Sequence, residues 1–311
     1  MNALPNPDYE SLPKYQRYLG GLTNELRREA LAKFLPPFQE NYRRHLTSPL
    51  LNYDVRIDRG DAILRQLQQD GCALSRVSPD VKSPVVERVE SIARALHARL
   101  DQLPNPRFKD SQRQFEPKEH AALFQLVDEL LERENVYAAG SAYVGKRIVL
   151  KTLAVQVNSQ RATALTYGEL DERGRPQPWT RYLHIDSAFW PPLKVLIYLD
   201  PVGEDQGPFR YVVGSHRLAS DFELVVRKTN DKASIHNALF MALPRAFRMY
   251  TEFGDAMTPD GEEASALLNR ERAYCDGVSD LVLFDFNGVH RGGFVRRGHR
   301  YILQCCFSAA A

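Results

Sequence analysis

The second half of the chain is a succession of short, strand-like stretches separated by turns and polar loops. Residues 148–157 are rich in β-branched side chains, and further short apolar stretches follow at 195–199, 210–213, 281–286 and 301–307. β-branched and aromatic residues favour strands. Helical patterns do not alternate with these stretches, so the sequence predicts an antiparallel sandwich or barrel rather than a parallel sheet.

The first half of the chain has a different pattern. Apolar residues recur at helical spacing over 85–103 and again over 120–133, as they do in helices that pack one face on a core. With 311 residues, the chain is long enough for one large domain. We expect a single domain over 1–311, with a mostly helical buttress at 1–146 and a β-rich core at 147–311, which is an α+β fold with a mainly β core.

One stretch within the β-rich half interrupts the strand pattern. Residues at about 217–280 are predicted to form a largely helical insertion. Beside a functional site, such an insertion would act as a lid that shapes the substrate pocket. The alternative is a helical element that packs on the outside of the barrel.

Composition limits the class of protein. With 43% hydrophobic and 26% charged residues and a formal charge of +2, the chain resembles an ordinary globular protein and not a general nucleic-acid binder. No apolar run reaches the roughly 18 residues of a membrane span, and the N-terminus has no signal-peptide pattern. The four cysteines lack the spacing of a disulfide framework or a zinc site, which favours a reducing, cytoplasmic location.

A His-x-Asp pair, His184 and Asp186, lies in the middle of the β-rich half. On an extended segment these two side chains project from the same face. An imidazole and a carboxylate side by side are two ligands of a facial metal triad. Histidines and acidic residues are frequent enough here, 8 and 39 of 311, for the spacing to arise by chance, so a purely structural pair is the alternative.

A candidate for the third ligand follows a later strand. The apolar stretch that begins at Leu281 leads into a glycine-containing turn that presents His290. The alternative third ligand is His216, which ends a Gly-Ser-His turn. Two histidines and one carboxylate would leave open coordination positions on a metal ion, as in non-haem iron enzymes.

The last predicted strand begins at Arg300. A guanidinium at the mouth of a barrel is costly to desolvate unless a carboxylate pairs with it, and a ligand carboxylate would do so in bidentate fashion. Arg296 and Arg297 are nearby alternatives, but they fall in the preceding turn, whereas the strand continues directly from Arg300. The order of these residues suits a metal centre with an anchor for a chelating keto acid.

Together these residues resemble the phytanoyl-CoA dioxygenase family of non-haem Fe(II)/2-oxoglutarate oxygenases. The resemblance covers roughly residues 150–310 and consists of three pieces. They are His184-Ile-Asp186, the run 199–216 with its Gln-Gly-Pro-Phe and Gly-Ser-His, and Asp280-Leu-Val-Leu-Phe-Asp with the later His290 and Arg300. The middle piece is unrelated to the metal, and the match depends on the three pieces together.

The resemblance implies a fold, a cofactor and a cosubstrate. The fold would be a double-stranded β-helix, a cupin-like jelly roll. His184, Asp186 and His290 would bind Fe(II), and Arg300 would pair with the distal carboxylate of 2-oxoglutarate. The reaction would consume O2 and 2-oxoglutarate and hydroxylate a substrate. In this family the position of His216 shapes a turn and binds no metal.

Several further side chains are candidates for the pocket. By the resemblance, Gln156 and Asn158 would contact 2-oxoglutarate or substrate; the alternative is a pair of inward polar residues bonded to a neighbouring strand. Lys194 is a lone cation in an apolar strand. It would either meet an anionic substrate group or extend outward to solvent, and we favour the outward course. Trp190 and Arg181 are candidate substrate contacts, with plain packing as the alternative for Trp190.

The leading hypothesis is an Fe(II)/2-oxoglutarate dioxygenase that hydroxylates a small, anionic metabolite such as a sugar acid or amino acid. Asp186 disfavours halogenation, because related halogenases replace this carboxylate; desaturation, epimerisation and ring formation stay open. The alternatives are a non-catalytic β-helix binding protein and a cupin-type metalloenzyme without 2-oxoglutarate. The anionic substrate is expected from six basic residues near the predicted mouth: Arg181, Lys194, Arg210, Arg291, Arg296 and Arg297.

Overall fold

The computed structural model describes most of the chain from residue 58 onward. The described residues are 58–106, 108–167, 183–184, 186, 191–216, 265, 268–276 and 280–310. Most of the helical insertion expected at 217–280 lies outside them, as do Arg181 and Trp190. No helix in the described part combines the length and the apolar character that crossing a membrane requires.

Five described α-helices flank the β-structure. They are α1 (Asp58–Asp70), α2 (Pro79–Gln102), α3 (Ala121–Arg133), α4 (Val136–Val144) and α5 (Gln160–Tyr167). In α2 the buried residues recur every three or four positions from Val81 to Leu100, which is the pattern of a helix that buries one stripe. The helices predicted at 85–103 and 120–133 are confirmed.

The described strands form two sheets, and every pairing is antiparallel. The strands are β1 (Cys72–Ser75), β2 (Gln112–Phe115), β3 (Ile148–Ser159), β4 (Leu193–Tyr198), β5 (Phe209–Val212), β6 (Glu271–Ala273), β7 (Leu281–Asp285), β8 (His290–Gly292) and β9 (His299–Ala309). The large sheet has the order β1-β7-β4-β9-β3-β2, and the small sheet has the order β6-β5-β8. The predicted antiparallel arrangement is confirmed.

The chain passes back and forth between the two sheets. After β3 in the large sheet, His184 forms a bridge with His290 at the edge of the small sheet. The chain then returns to the large sheet in β4, crosses to β5 and β6, returns in β7, crosses in β8 and returns in β9. This alternation is that of a jelly roll, so the expected double-stranded β-helix is confirmed.

The two faces of the large sheet have different partners. In β4, Val195 and Ile197 belong to the cluster that also contains the buried side chains of α2 and α3. Leu196 and Tyr198 point the other way and pack with side chains of the small sheet. We call the face that carries Leu196 the inner face. The helices therefore buttress one side of the sheet and leave the inner face to the space between the sheets, whereas the single-domain boundary 1–311 stays a prediction.

Candidate metal centre

The backbone brings His184, Asp186 and His290 together. His184 and His290 each donate their backbone N–H to the carbonyl of the other, at 3.0 and 2.9 Å, and Asp186 N donates to Phe286 O at 3.2 Å. Phe286 N in turn donates to Pro192 O at 2.9 Å. Main-chain bonds therefore fix the His-x-Asp segment to the start of β8 and to the turn that precedes it.

The side chains of this triad converge. Asp186 Oδ1 lies 3.6 Å from Nε2 of both His184 and His290, and the donor atoms all lie within 4.8 Å of one another. Among the described residues, no other group of histidines, cysteines and acids is arranged in this way. Two imidazoles and one carboxylate are a donor set suited to Fe(II), and three protein donors leave coordination positions open. The residues present therefore fit a divalent iron ion.

His290 is held in the state that a metal ligand requires. Its Nδ1 lies 2.8 Å from Gly288 O, and because a carbonyl only accepts, Nδ1 carries the hydrogen and Nε2 keeps its lone pair towards the centre. The side chain is 4% exposed. Burial, followed by the neighbouring His184, lowers the pKa of His290 to about 4, so the ring is neutral at pH 7.

Asp186 is ionised although it is partly buried. Burial alone would raise the pKa of its carboxyl group, but the charge of Lys194 and the two facing imidazoles outweigh burial and hold the pKa well below its ordinary value. Lys194 Nζ lies 2.5 Å from Asp186 Oδ2, and the lysine side chain is 19% exposed. The outward course favoured for Lys194 from the sequence is therefore wrong, because the carboxylate attracts the ammonium inward.

Side-chain contacts fix the turn between β7 and β8. Asp285 Oδ1 accepts from Asn287 N at 2.8 Å, and its Oδ2 accepts from Tyr143 at 2.7 Å. A Cβ on Gly288 would lie 1.8 Å from the hydroxyl of Tyr211, so this position requires glycine. These contacts set the path of the chain into His290.

The Gly-Ser-His turn supports the same strand from the other side. The hydroxyl of Ser215, whose residue is 3% exposed, accepts the backbone N–H of Val289 at 2.7 Å. His216 packs against Gly71, where a Cβ would lie 2.3 Å from His216 Nδ1. The alternative third ligand, His216, is therefore not part of the triad. The residue of this motif that supports the site is Ser215, whose hydroxyl holds the backbone just before His290.

Aromatic rings surround the buried imidazole. The ring centroid of His290 lies 5.0 Å from that of Phe284, 5.6 Å from Phe209 and 6.4 Å from Tyr211. His184 and Asp186 are the more open members of the triad, with side chains 23% and 21% exposed. The centre is thus apolar on the His290 side and accessible on the other.

Arg300 extends from β9 into the space between the sheets. The residue is 3% exposed, and its guanidinium donates to the carbonyls of Gln206 and Gly293 at 3.4 and 3.5 Å. A Cβ on Gly292 would lie 3.1 Å from Arg300 Nη2, so the cation sits against β8. In contrast, Arg297 is 81% exposed and pairs with Asp205. Of the arginines weighed for the carboxylate anchor, Arg300 is the buried one.

A row of amides crosses the inner face beside Arg300. Gln304 donates to Gln156 Oε1, Gln156 donates to Asn158 Oδ1 at 3.3 Å, and Asn158 donates to the Arg300 carbonyl at 3.3 Å. Gln156 and Asn158 are 8% and 6% exposed, and Lys194 shares their face of the sheet by strand register. The period of two along β9 places Gln304 on the same face as Arg300, and the structure adds its amide to this row.

Most of the other basic residues expected at the mouth pair with acids. Arg291 makes a bidentate contact with Glu271 at 2.6 and 2.8 Å, and Arg210 contacts Glu204 at 2.6 Å. Together with the exposed Arg297, three of these six residues have acidic partners, and Lys194 has Asp186. Their charges are therefore balanced within the protein, which removes much of the sequence-based support for an anionic substrate.

Similarity of the chain to known proteins is limited to solved structures. No family model matches the chain, and no curated protein matches it. The chain is similar to crystal structures of AviO1 from Streptomyces viridochromogenes Tue57 (18% identity, 83% of this chain and 97% of AviO1, TM-score 0.45) and of EctD from S. alaskensis with 2-oxoglutarate and 5-hydroxyectoine (14%, 85% and 81%, 0.49).

A third similar structure is SnoN, a non-haem α-ketoglutarate-dependent epimerase from nogalamycin biosynthesis (15% identity, 81% of this chain and 83% of SnoN, TM-score 0.45). EctD has also been solved with bound Fe. At such identities and TM-scores the likeness assigns this chain no activity, and its placement in the phytanoyl-CoA dioxygenase family stays a prediction.

Proposed function

We propose that this chain is an Fe(II)- and 2-oxoglutarate-dependent dioxygenase that hydroxylates a small metabolite. The observation that carries the proposal is the convergence of His184, Asp186 and His290 within 4.8 Å. A buried Arg300 lies on the adjoining inner face of the same barrel. A metal-binding triad and a cation that can anchor a carboxylate are the two parts that such chemistry needs.

The triad supports the metal part of this proposal. Nε2 of His184, Nε2 of His290 and Oδ1 of Asp186 would hold the ion. With 2-oxoglutarate and O2, bound Fe(II) supplies the oxidation that gives succinate, CO2 and a hydroxylated substrate. Because Gly288 fixes the tautomer of His290 and burial keeps its ring neutral, one ligand is ready without losing a proton.

Arg300 supports the cosubstrate part. A guanidinium that is 3% exposed forms its strongest contacts with a carboxylate, and the two parallel N–H bonds also set the orientation of that carboxylate. We assign the distal carboxylate of 2-oxoglutarate to this cation. Gln156 and Asn158, on the strand paired with Arg300, would then line the same pocket, with their amides facing the cosubstrate or the substrate.

The substrate is proposed only as a small molecule with a C–H bond to be oxidised. The described basic residues give little support for a net anionic substrate, since Arg210, Arg291 and Arg297 pair with acids, Lys194 pairs with Asp186, and Arg300 is assigned to the cosubstrate. We place the reaction in the cytosol, which agrees with free cysteines at Cys72 and Cys305 that are buried and unbridged.

Anaerobic titration tests the proposal. We expect Fe(II) to bind the purified chain, and 2-oxoglutarate then to produce a weak visible metal-to-ligand charge-transfer band. Arg300→Leu should retain the metal and lose most of the cosubstrate affinity, by about tenfold or more, because a buried charge-assisted pair is removed. Arg297→Leu is the matched control, since it removes an exposed arginine that pairs with Asp205.

Each other outcome identifies an alternative. Metal binding without the band, and activity that does not depend on 2-oxoglutarate or on Arg300, would indicate a cupin-type metalloenzyme. Binding of both ligands without succinate release across a metabolite panel would indicate a non-catalytic binder. Absence of metal binding by the wild-type chain would overturn the proposal itself.

A further inference from the structure

We infer that Lys194 is a positioning residue of the metal centre, which holds Oδ2 of Asp186 so that only Oδ1 is offered to the ion. The inference rests on the proposed function to the extent that a divalent metal binds the triad. It concerns a residue that the sequence marked only as a candidate substrate contact. Its basis is the unequal surroundings of the two carboxylate oxygens.

The two oxygens of Asp186 face different groups. Oδ1 lies at the same distance, 3.6 Å, from the Nε2 atoms of both triad histidines. Oδ2 lies 2.5 Å from Lys194 Nζ. A charge-assisted contact of this length is among the stronger hydrogen bonds in proteins. The carboxylate is thus oriented with one oxygen towards the site of the ion and the other towards the lysine.

The fold holds Lys194 in place for this contact. β4 lies between β7 and β9 in the large sheet, and Lys194 pairs with Phe284 on one side and Cys306 on the other. Neither of these two cross-strand neighbours is acidic, and the ammonium contacts the carboxylate of Asp186. The ring of Phe286 lies 6.0 Å from Nζ, which adds a cation–π contact. Because Lys194 lies on an interior strand of the sheet, its backbone has little freedom to move.

This arrangement determines how many positions on the ion remain open. A carboxylate that binds through one oxygen takes one position of an octahedral ion, and a carboxylate that binds through both oxygens takes two. If Oδ2 is held by Lys194, the three protein residues take three positions and leave three. A chelating keto acid would occupy two of these, so the last one would stay open for a small ligand only if Asp186 bound through Oδ1 alone.

The ammonium also changes the electrostatics of the centre. A positive charge close to the carboxylate opposes the binding of a divalent cation and favours the binding of an anion beside it. In a positioning role, loss of the ammonium would therefore strengthen metal binding. If the lysine served only to stabilise the fold, its loss would disorder Asp186 and weaken metal binding. The sign of the change in metal affinity therefore separates the two roles.

The test compares variants of the full chain by anaerobic calorimetry with Mn(II) as the probe, followed by 2-oxoglutarate. We expect Lys194→Met to bind Mn(II) about tenfold more tightly and 2-oxoglutarate about tenfold more weakly. Lys194→Arg, which keeps the charge and the donors, should stay within about threefold of wild type in both. Lys82→Met is the matched control: Lys82 pairs with Asp280, both side chains are 16% exposed, and neither belongs to the triad.

Infrared difference spectra of the Mn(II)-loaded and metal-free proteins give a second readout, independent of activity. Monodentate carboxylates have a wider separation between their asymmetric and symmetric stretches than bidentate ones. We expect the wide separation in wild type and in Lys194→Gln, which keeps a donor without charge, and the narrow one in Lys194→Met. Lys194→Gln also provides a test if the methionine variant does not fold.

The outcomes are distinct from those for the proposed function. If wild type binds Mn(II) and 2-oxoglutarate, but Lys194→Met binds the metal equally or more weakly, the positioning role is wrong and the proposed function stands. The same conclusion follows if Lys194→Gln shows the narrow separation. If wild type binds no Mn(II), the proposed function fails first, and Lys194 then forms only a structural ion pair.

Discussion

His184 and His290 exchange two backbone hydrogen bonds, of 3.0 and 2.9 Å, across the edge of the small sheet. Two residues far apart in the chain are thereby held as direct neighbours, with ring centroids 4.5 Å apart. Main-chain bonds of this kind persist when the side chains are changed. The site can therefore be probed by side-chain substitution without loss of its frame, and the first prediction makes use of this.

His290→Ala should strongly weaken metal binding while the protein stays folded. Removal of one of three ligands costs more than removal of an outer hydrogen bond, which itself lowers metal affinity by about 10–100-fold. We expect a loss of at least about 100-fold in Mn(II) affinity by calorimetry. His120→Ala, which changes a histidine packed against Phe115 and outside the triad, should bind Mn(II) as wild type does. Equal affinity in both variants would contradict the assignment of His290.

The stability of the metal-free protein should depend on pH through His290. Its pKa of about 4 in the folded state lies below the ordinary value near 6.5, so between these values the unfolded chain binds more protons. Stability is therefore complete above about pH 6.5 and falls by up to about 3 kcal/mol as the pH drops to 4. Urea midpoints from pH 4 to 8 measure this loss, and His290→Gln should reduce the slope over that interval. An unchanged slope would show that another group titrates.

Ser215→Ala should loosen the strand that carries His290. The change leaves the buried N–H of Val289 without the hydroxyl that now accepts it at 2.7 Å, at a cost of about 1–3 kcal/mol. Urea unfolding measures the cost, and Mn(II) affinity should fall with it. Ser83→Ala is the control, because Ser83 bonds Pro79 O at an exposed position in α2. A loss confined to stability, with metal affinity unchanged, would limit Ser215 to a folding role.

Gly288→Ala should lower both stability and metal affinity, although it adds only one methyl group. The added methyl would meet the Tyr211 hydroxyl at 1.8 Å, and overpacking of this kind costs about 1–3 kcal/mol. Relief of the clash must also move the carbonyl that binds His290 Nδ1, so metal affinity should fall. Gly203→Ala is the comparison, since its nearest neighbour, Gln206 Oε1, lies at 3.3 Å. Equal stability of the two variants would contradict the tight packing at Gly288.

Local sequence patterns were sufficient to predict the antiparallel strands and the face shared by His184 and Asp186. A period of two needs no knowledge of the partner strand, and the same period places Gln156 and Asn158 on the face opposite Val155 and Val157. The order of the candidate ligands along the chain is consistent with their convergence in the structure, because two sheets folded on each other bring strand ends to one rim.

The contacts that tune the site could not be predicted in this way. The residues of β4 on both of its faces are apolar apart from Lys194. The alternation along the strand therefore did not indicate whether the lysine faces solvent or the interior. Its direction depends on Asp186, which arrives by tertiary folding. The same holds for Ser215, whose partner Val289 lies 74 residues away, and for Arg291, whose charge is neutralised by Glu271 on another strand.

The amide row on the inner face has a fixed polarity. Each side-chain NH2 group of Gln304, Gln156 and Asn158 donates to the next group, and the last acceptor is the main-chain oxygen of Arg300. That oxygen has no hydrogen to give, so Asn158 cannot flip, and its orientation dictates those of the two glutamines in turn. One carbonyl of β9 thus fixes the orientation of all three amides, and with it the donors and acceptors that the row presents on the inner face.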